Sequence, residues 1–163
     1  MKNKIIVFLF YIFFFVPLLA ENLNIQSLNI TVDKETKITI FKNQVSARDE
    51  KNNQLLTEFA EYNKDLKLFK TVGKTTFLTS EGFIIKGEDI IFDNNKNYIK
   101  SDRPAIIQDL EKNEIYLDSF EYSTLDSFFK SAGNIKVIDS KNNKYNFSQI
   151  YIDEKKKEIV GTD

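Results

Sequence analysis

The sequence predicts an all-β chain of stacked units, and three observations carry the prediction. Apolar residues recur every 30 positions, turn-forming residues recur at the same step, and no window sustains a helical period. The residue that closes each apolar stretch before a polar turn is Val32, Tyr62, Phe92, Tyr122 and Ile152. Two positions earlier stand Ala60, Ile90, Phe120 and Ile150, and seven positions later stand Phe69, Ile99, Phe129 and Ile159. A further column reads Ala47, Phe77, Ile107 and Val137. A fixed step of this size marks a repeat in which each unit covers the apolar face of its neighbour.

The elements follow in chain order. Residues 1–20, MKNKIIVFLFYIFFFVPLLA, begin with Lys2 and Lys4 and run apolar from Ile5 to Val16, with Ala20 at the close. A basic start, an apolar run and a small residue predict a secretory signal peptide cut between Ala20 and Glu21. Ile5 to Ala20 is 16 residues, short of the roughly 20 that span a bilayer as a helix. Residues 21–163 form the domain. Without Lys2 and Lys4, the 23 basic residues become 21 against 24 acidic ones, a net charge of −3 that gives nucleic acid no reason to bind. An exported chain without Cys gains nothing from disulfides, and without His it lacks the side chain best suited to proton transfer near neutral pH.

DEKNNQ at 49–54 and DSKNNK at 139–144 are the first and fourth occurrences of one turn, with Lys51, Glu81, Glu111 and Lys141 in one column and Asn53, Phe83, Asn113 and Asn143 in another. Within a unit the pattern is strand, turn, strand and break. Ile84 to Phe92 reads as one β-branched and aromatic strand, Asp93-Asn94-Asn95 as a turn, Tyr98 to Lys100 as the returning strand, and Pro104 as the break. Equivalent turns stand at 63–65, 123–125 and 153–155. Gly73 and Gly133 share a column that Arg103 interrupts. Inside the apolar runs the alternation changes parity: Leu55 and Thr57 are out of phase with Ala60 and Tyr62. A one-residue change of face predicts a bulge or a strand that passes between two sheets. The expected architecture is two facing antiparallel sheets, or a flattened and partly closed roll, with Phe, Ile and Tyr between.

These units, such as FAEYNKDLKLFKTVGKTTF (59–77) and FEYSTLDSFFKSAGNIKVID (120–139), resemble the OstA-like family across the mature chain. An aromatic precedes a polar turn, a lysine follows the second strand, and a Gly introduces the next. The resemblance implies a twisted, partly open β-jelly roll whose interior holds the lipid A acyl chains of lipopolysaccharide. It implies a non-catalytic bridge across the periplasm, joined to other OstA-like proteins by pairing of edge strands. Members are stand-alone (LptA), anchored (LptC) or the N-terminal periplasmic part of an outer-membrane assembly protein (LptD). The chain stops partway through a unit at KKKEIVGTD, which favours the LptD type, whose partners include a membrane barrel and its lipoprotein. Without lipid, the alternative is a secreted structural β-repeat.

The groove lining expected on this resemblance is Ala60, Tyr62, Phe69, Phe77, Ile90, Phe92, Ile99, Ile107, Phe120, Tyr122, Phe129, Val137, Ile150 and Ile152. The same columns also suit a closed core. Glu58, Glu88 and Asp118 share a column between apolar neighbours, which fits a solvated outer face better than paired catalytic carboxylates. Asp93 to Asn97 begins like a calcium loop, but Tyr98 and Pro104 occupy the positions that need Gly and Glu, so no metal or cofactor is expected. Lys70, Lys100 and Lys130 suit either lipid phosphates at the groove mouth or a charged edge that deters pairing.

Overall fold

The computed structural model describes residues 23–163, so the expected leader at 1–20 lies outside the described residues. Fifteen strands and no helix are found among them: β1 (Leu23–Gln26), β2 (Asn29–Asp33), β3 (Ile38–Asp49), β4 (Gln54–Asn63), β5 (Leu68–Thr71), β6 (Lys74–Leu78), β7 (Ile84–Glu88), β8 (Ile91–Asp93), β9 (Tyr98–Ser101), β10 (Ala105–Gln108), β11 (Glu114–Leu117), β12 (Phe120–Ser123), β13 (Phe128–Ile138), β14 (Lys144–Asp153) and β15 (Glu158–Thr162). Every pairing between them is antiparallel.

The two layers are halves of one continuous hydrogen-bonded sheet folded on itself. The first layer runs β2, β3, β4, β5, β8, β9, β12, β13, β14, β15, and the second runs β1, β3, β4, β6, β7, β10, β11, β13, β14. The long strands β3, β4, β13 and β14 belong to both. Their register shifts where they cross, between Lys42 and Val45 and between Ala132 and Ile135. This is the change of parity visible in the sequence. In the inner units the chain breaks at the crossing instead. The expected single strand from Ile84 to Phe92 is therefore two strands, β7 and β8, separated at Asp89, whose φ is 51°.

The 30-residue step is written into the backbone. Left-handed residues end the first layer's turns at Lys37, Lys67, Asn97, Ser127 and Lys157, and mark the second layer's turns at Asn52, Gly82, Lys112 and Asn142. At the crossing, Asn43, Gly73 and Gly133 share this conformation. Arg103 does not, and the following Pro104 biases it toward extended backbone.

The echoed turn is a side-chain clamp. The Asp49 carboxylate accepts from the Lys51 and Asn53 amides and from Asn53 Nδ2. Asp109 with Asn113 and Asp139 with Asn143 repeat it. In the second unit, where Phe83 replaces Asn, Thr79 Oγ1 accepts from the Phe83 amide. Successive turns are then tied at 27 residues: Asn94 N to Lys67 O, Thr124 N to Asn97 O and Glu154 N to Ser127 O in one row, with Ser80 N to Asn53 Oδ1 and Ser140 N to Asn113 Oδ1 in the other.

At the crossing, hydroxyls satisfy backbone groups that leave the ladder. Thr71 Oγ1 donates to Ile90 O and accepts from Ile90 N, Ser101 Oγ donates to Glu88 O, and Ser131 Oγ donates to Ser119 O. These three residues are also spaced by 30, and all are buried.

Candidate functional site

The interior between the layers is lined from both sides by the apolar columns. All fourteen predicted lining residues belong to it. Twelve are buried, and Tyr62 and Val137 are half-buried against the others. Residues outside the predicted lining complete it: Leu55, Ile85 and Ile115 in the second layer, with Phe41 and Ile135 near the crossing. The 30-residue step of Leu55, Ile85 and Ile115 was the available signal for that column.

The layers touch in the middle of the roll. Phe77 of β6 meets Tyr122 of β12 edge-on, with centroids 5.3 Å apart and planes at 63°. Tyr122 also packs on Phe129 at 4.4 Å. Towards the ends this filling thins. Ile30 and Val32 of β2 lie opposite Phe41 and Thr39 and so share the inward face, yet are 56% and 60% exposed. At the other end Ile159 opposes Ile152 at 42% exposure, and Tyr145 opposes Val137 at 45%. An apolar interior thus runs from one apolar mouth to another.

Along its side the interior is covered where the two rows of turns meet. Lys51 Nζ, from the β3–β4 turn, donates to Thr124 O at 2.6 Å and Leu125 O at 3.0 Å. Next to it, the Glu154 side chain turns inward beneath the β14–β15 turn and is 2% exposed. The Tyr122 hydroxyl donates to its Oε2 at 2.9 Å, while buried Oε1 makes no hydrogen bond. Burial pushes the Glu154 carboxyl up to about 7, and the charge of Glu81 adds to this. The hydroxyls of Thr79 and Tyr122 oppose the shift without cancelling it. Burial first, then Glu154, raises the Tyr122 phenol in turn.

The remaining candidates face outward. Lys70, Lys100 and Lys130 stand on the outer face of the first layer in a cross-strand row with Glu61 and Glu121, and Lys130 pairs with Glu121 at 2.6 Å. Glu58, Glu88 and Asp118 are exposed. They border a groove of about 1280 Å³ on the outer face of the second layer, along which Leu56, Ile106 and Tyr116 lie. Asp93 spends its carboxylate on its own turn, accepting from the Asn95 and Lys96 amides.

No family model and no curated protein matches the chain. Among solved structures it is similar to LptH of Pseudomonas aeruginosa, the LptA-homologous periplasmic component of a lipopolysaccharide transport device. The identity is 12% and the TM-score 0.32, over 86% of this chain and 82% of that one. A likeness of this size is too slight to carry an assignment.

Proposed function

We propose that this chain is a non-catalytic periplasmic carrier that shelters the acyl chains of lipopolysaccharide between its two layers. The observation that supports it is the continuous apolar interior that opens at both ends on exposed apolar residues. A carrier for hydrocarbon needs length and few unsatisfied polar groups, because a bare amide or hydroxyl facing an alkyl chain is costly. The columns supply both.

The middle of the roll is filled by Phe77, Tyr122 and Phe129, so cargo enters only as the layers part. The magnitudes allow it. About twelve methylenes at roughly 0.8 kcal/mol each recover on the order of 10 kcal/mol, against roughly 1.5–3 kcal/mol for each large apolar side chain that loses its packing. At the ends, β2 and β15 are edges of the first layer and β1 an edge of the second. Their free backbone groups suit strand pairing with other modules of the same architecture. The finer reading is the N-terminal periplasmic part of an LptD-type protein at the outer membrane, with a stand-alone or anchored bridge as the alternative. The downstream reading frame distinguishes them.

The Phe77–Tyr122 contact favours one other reading, a structural β-repeat that carries nothing. Photo-crosslinking amino acids at Ile30, Phe92 and Val137, irradiated with lipopolysaccharide, separate the two. The carrier captures lipid at the mouths and in the middle. A folded chain that captures none at any of the three is the structural repeat.

A further inference from the structure

The seam between the two rows of turns is built differently from the rest of the molecule. Along each row, the ties between successive turns repeat at 27 residues. Across the seam, single residues make the crossing: Lys51 reaches Thr124 and Leu125, and Glu154, seated on Tyr122 of its own layer, sits against Thr79 of the opposing turn. The cluster holds one unsatisfied polar atom, Glu154 Oε1, buried beside Thr79 at the start of the opposing β6–β7 turn.

We infer that Glu154 is a latch, whose side chain, seated on Tyr122 beneath the opposing turn, holds the rows of turns together and whose departure opens the interior along its side. A carboxyl there has two states with different needs. Neutral, it tolerates the dry seam and accepts the Tyr122 hydroxyl. Ionised, it carries a charge that only the Thr79 and Tyr122 hydroxyls oppose, with no cation against it, and burying such a charge is unfavourable until water reaches it.

The charged groups around it point the same way. Asp49, at the end of β3, acts on Tyr122, and Glu81, in the β6–β7 turn, acts on Glu154. The nearby cations, Lys51 and Lys155, spend their ammonium groups on the Thr124 and Leu125 carbonyls. Ionisation therefore adds a third carboxylate to a site already flanked by two. Since burial raises the carboxyl to about 7, the latch is shut at pH 5.5 and released at pH 8. Its purpose rests on the carrier reading, because a side opening serves an acyl chain, but the opening itself is measured without lipid.

The chain has no cysteine, so Ser80→Cys and Lys156→Cys place spin labels on opposite sides of the seam without background. The interlabel distance lengthens between pH 5.5 and pH 8. In the unlabelled chain, protection of the Phe83 and Glu154 amides against hydrogen exchange falls at least about tenfold over the same interval, the size of one pKa unit of linkage. In Glu154→Gln, both stay at their pH 5.5 values. A distance unchanged between the two pH values overturns the latch even if the Gln variant does not fold. Equal protection of wild type and Glu154→Gln at pH 8 overturns it too. Adding lipid A separates this from the carrier reading. Opening without lipid capture keeps the latch and removes the carrier, whereas capture at both pH values with no opening does the reverse.

Discussion

The two long sides of the roll close it by opposite means. At the crossing side, Thr71, Ser101 and Ser131 repeat one solution: a buried hydroxyl takes up a backbone group that leaves the ladder. At the seam side, closure falls to Lys51 and Glu154, each used once, and a buried oxygen is left over. A repeated contact is paid in by every unit and resists parting anywhere, whereas a single contact fails at one place. On the latch inference, the crossing side serves as the hinge and the seam as the moving edge.

The largest effect that tests this contrast lies between the two sides. Phe77→Ala removes the ring that joins the layers through Tyr122 and costs about 3–5 kcal/mol in denaturant unfolding, as for other buried aromatic truncations. Next comes pH. The Glu154 carboxyl is higher in the folded chain than its ordinary 4.5, at about 7, so the folded state holds the proton more tightly. Stability therefore falls as pH rises from about 4.5 to about 7 and levels off above. The loss is up to about 3 kcal/mol at roughly 1.4 kcal/mol per unit of pKa. Unfolding curves of Glu154→Gln over that range lack this contribution.

At the hinge, Thr71→Val takes the hydroxyl from both Ile90 backbone groups and from Thr75, whose hydroxyl donates to it at 2.7 Å. We expect a loss of about 1–3 kcal/mol in global unfolding. The smallest effect is Lys51→Ala, below about 1 kcal/mol in global stability for a cation near solvent. It speeds hydrogen exchange at Thr124 while leaving Thr71 unchanged. If Lys51→Ala destabilises the whole fold as much as Thr71→Val, the two sides are not different in kind.

Much of this architecture was legible in the sequence. The columns at 62, 92, 122 and 152 fixed the step, and the phase change between Thr57 and Ala60 announced the crossing. The Asp49 and Asp139 turns gave one clamp twice. Two things were hidden. Ile84 to Phe92 reads as one strand because Asp89, which turns the chain at φ 51°, is an ordinary polar residue in a polar–apolar pattern. The seam was invisible because it depends on how far the layers are skewed. Lys51 meets Thr124 only once twist has carried one row of turns over the other, and no period of 30 encodes that offset. Side-chain parity likewise told which residues point inward. It did not tell how far apart the facing layers stand, and that distance decides whether Phe77 and Tyr122 touch.

The 27-residue ties between successive turns carry a consequence for how such a molecule changes in size. Each unit contributes two strands to each layer, so at about 4.8 Å per strand one added unit lengthens the roll by roughly 10 Å. Growth comes in whole steps of that ruler, and any other insertion would turn an inward column toward water. A unit duplicated between Lys51 and Thr124 would keep every clamp and every hydroxyl, yet slide the fastening away from its eyelet. Length in this design is modular, and the means of shutting it is not.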